Sequence, residues 1–117
     1  MVAGIIVTTD LQTVELPALD YASLSEAVGG YIELVHLRGK FDGFAMYVNE
    51  EGKLNGLPMN DLATIVWEKS FGAFTDIILG NAVLVNAKTD GDGNELPLSD
   101  EQTAFLMEGL KACFASL

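Results

Sequence analysis

The chain has one histidine, His36, and one cysteine, Cys113. A thiol beside an imidazole could do nucleophilic chemistry, the base drawing the proton from the attacking group. Spacing argues against that pair. His36 falls in mid-strand on the face of Ile32 and Leu34, and Cys113 falls on the apolar stripe of the last helix, where a buried thiol is inert. One His and one Cys would leave two zinc positions to carboxylates, and a single Cys forms no internal disulfide. No catalytic residue is assigned and no cofactor is implied, so a non-enzymatic reading is preferred.

Other constellations could bind. Asp90-x-Asp92-x-Asn94, with Glu101 eleven residues after Asp90, follows part of the ligand order of a calcium loop. Glu95 stands where that loop needs Gly, and the preceding segment reads as a strand, so an acidic turn is the simpler account. No Gly-x-x-x-x-Gly-Lys-Ser/Thr and no Gly-x-Gly-x-x-Gly occurs. A nucleotide or other small ligand could still meet backbone donors at Gly29-Gly30, or Asn60 and Thr64 at a helix start. A helix cap and a surface Thr are the simpler account of the latter two. Trp67, Phe71, Phe74 and Phe105 add to full apolar stripes, and Trp67 and Phe105 lie off the main stripes of their helices. Such a surplus suggests an exposed aromatic patch that meets a protein partner, most economically a second copy in a two-fold dimer.

Charge narrows the partners. Against 17 acids stand 6 Lys plus Arg, a net charge of −11 in 117 residues. That balance excludes nucleic-acid binding by phosphate neutralisation and docking on an anionic membrane. Half the residues are hydrophobic, which excludes a disordered tail. The acids are scattered through turns, caps and first helical turns, so solubility explains them better than imitation of DNA. The N-terminus lacks a basic start and no window is long enough for a membrane span, so a cytoplasmic chain is expected.

These residues need elements to hold them. Val2–Thr9 and Thr13–Leu16 read as strands joined in a hairpin. Ser23 with Glu26 reads as a capping box opening a short helix, and Gly29-Gly30 as its left-handed stop. Tyr31–Leu37 and Phe41–Val48 read as two strands linked at Arg38-Gly39-Lys40, with Lys53-Leu54 as a short returning strand. Asn60 caps a helix to about Lys69, with Leu62, Ile65 and Val66 inward and Asp61, Thr64 and Glu68 outward. Thr75–Leu79 is β-prone, and Ala82–Ala87 is a buried strand. Ser99 with Gln102 forms a second capping box for a helix Asp100–Ala115, with Leu106, Leu110, Cys113, Phe114 and Leu117 on one face.

Several stretches together resemble a family of small phage, plasmid and actinobacterial proteins catalogued as domain of unknown function 3846. They are Val14-Glu15-Leu16, Ala27–Glu33, Val48–Leu54, Gly56–Asn60, Gly80–Val85 and Leu98–Glu101. The resemblance implies a mobile-element setting in which small acidic proteins are often accessory or counter-defence factors. It implies no activity.

The expectation is an α+β chain over residues 1–117. It has a single compact domain, with a largely antiparallel or mixed sheet of about five or six strands, two main helices and one short helix. The expected function is a non-enzymatic protein-interaction module of an accessory kind; the alternative is a small-ligand or nucleotide-binding domain.

Overall fold

A computed structural model describes residues 2–73 and 75–117, so Phe74 of the expected aromatic patch lies outside the described residues. Among them are five strands and three helices, an α+β arrangement. The strands are β1 (Gly4–Val7), β2 (Thr13–Leu16), β3 (Ile32–His36), β4 (Phe44–Asn49) and β5 (Ala82–Asn86). The helices are α1 (Tyr21–Val28), α2 (Asp61–Phe71) and α3 (Asp100–Ala115). The sheet order is β2-β1-β5-β4-β3, with every neighbouring pair antiparallel. Among the described residues, no helix is long and apolar enough to cross a membrane.

Side-chain alternation sorts the core into two layers. On one face Ile5, Val7, Met46 and Leu84 meet Leu62 and Val66 of α2 and Leu106 and Leu110 of α3. On the other, Ala45, Tyr47, Val83 and Val85 meet Leu24 and Val28 of α1. The central strands β4 and β5 are covered on both sides and buried along their whole length, hence their unbroken apolar runs. Each fully buried Leu, Val or Met in these layers contributes about 1.5–3 kcal/mol. Outer β3 is half-wet, and His36 there is exposed.

Local chemistry departs from expectation in several places. The cap of α1 is Asp20, not Ser23: its carboxylate accepts from the Ser23 N–H at 2.8 Å, and that bond holds its pKa below the usual carboxylate range. Asp wins because it already stands at the extended residue before the first turn. The β3–β4 link is longer than a tight hairpin. Gly39–Phe41 forms a 3-10 turn that buries Phe41, and β4 begins only at Phe44. Lys53-Leu54 is turn rather than strand. Thr75–Leu79 makes a single bridge, Met59 to Leu79, because the segment runs back beside α2 instead of joining the sheet. The capping box at Ser99 and Gln102 forms as expected.

Candidate interaction surface

The expected ligand residues sit at places already bonded. Asn60 is 0% exposed. Its Oδ1 accepts from the Ala63 N–H at 3.0 Å, capping α2. Its Nδ2 donates to the carbonyls of Val7 at 2.9 Å and Gly80 at 3.0 Å. One side chain thus ties α2, β1 and the approach to β5 together. Thr64 was expected to face outward but is buried, because the 75–79 segment lies over it. Its Oγ1 accepts from the Ile78 N–H at 3.0 Å.

Gly29 and Gly30 lie across the sheet from α2, at the end of α1. Both of their N–H groups donate to the Ser25 carbonyl, at 2.9 and 3.0 Å. Gly29 takes φ 81°, the left-handed stop expected of it. Buried Asn49 seals this corner by donating to the Val28 carbonyl at 3.1 Å. The structure does not bring the glycines and Asn60 into one pocket, and the donors and acceptors of each serve the fold.

The acidic loop also folds on itself. Asp90 Oδ1 accepts from the N–H groups of Asn94 and Asp92, at 3.0 and 2.8 Å, and these bonds lower its pKa. Asp90, Asp92 and Asn94 are all exposed. Among the described residues, no group of three or more His, Cys, Asp or Glu is disposed to hold a metal ion. Nearby Glu95 has a buried Oε2 without a hydrogen-bond partner, and burial raises its pKa.

Of the expected aromatics, the structure pairs Trp67 with Phe71, ring centroids 4.5 Å apart. Both are half-buried against the α2–α3 core layer, and the Trp67 indole N–H donates to Thr75 Oγ1 at 2.8 Å. Trp67 also lines a cleft of about 220 Å³ beside Glu33, Glu50, Glu51 and the Lys53–Asp76 ion pair, which closes at 2.7 Å. Phe105 stands apart. It stacks on Phe44 at 5.7 Å and is 52% exposed.

Exposed apolar side chains occur on several elements, Leu54, Tyr31 and Tyr21 among them, and one group of them lies along α3 and the residues after it. Phe114 and Leu117, expected in the buried stripe, are 53% and 55% exposed. Met107, not singled out from the sequence, is 41% exposed. The reason is angular: Leu106, Leu110 and Cys113 fill the arc that the sheet and α2 can cover, and the apolar arc of the helix is wider than that. Met107 and Phe114 stand seven residues apart, two turns along one flank. With Leu11 and Leu62 they line a groove of about 330 Å³. The sequence carried this signal in the surplus of apolar residues over one stripe, but not which residues were left over.

His36 and Cys113 are held apart. His36 is registered with Ala45, whose side chain belongs to the α1 layer, while Cys113 is buried in the α2–α3 layer. Burial raises the Cys113 pKa, which the Lys69 and Lys40 ammoniums partly offset.

The model of one family matches residues 2–111, nearly the whole chain. The chain belongs to the DUF3846 family. That family is described as a domain of unknown function, so membership places this DUF3846 protein among its relatives without assigning an activity. No curated protein and no solved structure matches it.

Proposed function

We propose that this DUF3846 protein is a small acidic accessory module that works by docking a partner protein on α3. The carrying observation is the exposed pair Met107 and Phe114 beside an apolar groove, on a helix whose inner stripe already satisfies the core. Anchors of this kind account for most of the binding energy at protein interfaces. Charge selects the partner. A second copy carries another net −11 and is repelled at long range, whereas a basic protein is steered toward the chain. The occupant is therefore a protein with apolar anchors and a basic rim, and the dimer is the competing outcome. A phage or plasmid setting, counter-defence included, belongs to this reading and is supported by the family resemblance alone.

Crosslinking in cell extract from a photoreactive residue at position 111, which is exposed and lines the same groove, tests it, combined with light scattering on the purified chain. A crosslinked basic protein, lost in the Met107→Gln, Phe114→Gln variant, is the expected result. A dimer dissociated by the same variant would replace the heterologous partner with a second copy. A monomer whose crosslinks are unchanged by the variant would remove α3 from the reading.

A further inference from the structure

A second cleft lies on the opposite flank of α3, where that helix meets the 3-10 turn and the end of α2. Its volume is about 200 Å³. Phe41, Phe105, Gly109 and Ala112 give it apolar walls, and Lys40 and Lys69 stand at its edge. Two glycines permit this junction. A Cβ on Gly39, which has φ 59°, would stand 2.7 Å from the Lys69 carbonyl oxygen, so Gly39 lets the 3-10 turn press on the end of α2. A Cβ on Gly109 would stand 3.1 Å from the Phe41 ring, so Gly109 lets that ring seat against α3. A glycine inside a helix costs about 1 kcal/mol relative to Ala, and here it admits an aromatic ring.

The charges are the second observation. The chain has 6 basic residues against 17 acids, yet two of the six flank one apolar cleft. Among the described residues, the ion pair is Lys53–Asp76, and neither Lys40 nor Lys69 has a carboxylate within ion-pair distance. In so acidic a chain, two unpaired ammoniums at an apolar wall leave positive charge for a ligand to meet. Such a charge-assisted contact strengthens where apolar walls exclude water.

We infer that the cleft between Phe41, Phe105 and Ala112 binds a small amphipathic monoanion, a medium-chain or aryl carboxylate. Its apolar body lies along Phe41 and Phe105, and its carboxylate meets Lys40 and Lys69. The size fits: drug-sized sites run to roughly 300–1,000 Å³, so this one takes a smaller molecule. Glycine-turn and cap donors play no part in it, and it lies on the other flank of α3 from the Met107–Phe114 groove.

Titration of the isotope-labelled full chain with octanoate, and separately with octylamine, tests this by amide chemical shifts. Octanoate is expected to give saturable shifts at Lys69, Gly109 and Ala112, and octylamine none there. Lys40→Gln and Lys69→Gln should each weaken octanoate about tenfold, the effect of losing one charge-assisted contact. Ala112→Leu fills the cleft and should abolish binding; should it fail to fold, the two lysine variants decide. Equal binding of octylamine, shifts that do not saturate, or unchanged affinity in both lysine variants would overturn the assignment.

Discussion

The corner around Asn60 and the outer flank of α3 are opposites. Asn60 is a polar group at a helix start, the kind of residue that meets ligands, and every polar atom of its side chain is engaged inside the fold. Met107 and Phe114 are apolar residues on a helix, the kind that fill cores, and both stand substantially in solvent. Binding capacity follows from what the fold leaves unspent. A polar side chain that meets its partners internally has little free energy left to offer a ligand. An apolar side chain left in water gains when anything covers it.

Asn60→Ala should sharpen that contrast most. It removes the cap and the two bonds to the carbonyls of Val7 and Gly80, at about 3–5 kcal/mol in urea unfolding. A loss under 1 kcal/mol would mean that the corner is not the tie described. Thr64→Val comes next. It strands the Ile78 N–H at a cost of about 1–2 kcal/mol and should raise hydrogen exchange at Ile78. The Met107→Gln, Phe114→Gln double variant should lose about 1 kcal/mol or less, since both side chains are already half in water. A larger loss would place them in the core and break the comparison.

The smallest effect has the opposite sign. Glu95 has its pKa raised by burial, so its native form favours the proton. That contribution is full below the unfolded glutamate pKa and is lost as pH rises through the raised folded value. Glu95→Gln should therefore raise Tm at neutral pH, by about 2 °C, and change nothing at a pH where Glu95 is protonated in both states. Asp20, Asp76 and Asp90 have the reverse sign. Their lowered pKa values stabilise the fold above the unfolded aspartate pKa, a contribution lost as pH falls through the folded values.

Much of the fold was legible because its signals are local. Ser99 with Gln102, Asn60 before an apolar stripe and Gly29 after one each specify a helix end through bonds spanning a few residues. The buried run Ala82–Asn86 was legible from its β-branched and apolar composition. The site was less legible. Trp67 and Phe105 both lie off the stripes of their helices, but Trp67 is pinned by Thr75 whereas Phe105 stays open. Neighbours distant in sequence decide between those fates.

Sequence alone therefore determined the types of the main strands and helices, the acidic balance, and the family. These depend on nearest neighbours, on composition, or on a pattern spread along the whole chain. Tertiary structure decided which side of each element met another. It turned Thr64 inward beneath Ile78, left Phe114 and Leu117 outside, and set Lys40 and Lys69 beside one apolar cleft. The physical reason is coverage: a helix face is buried only as far as the surface opposite it extends, and that surface is assembled from segments far apart in the chain.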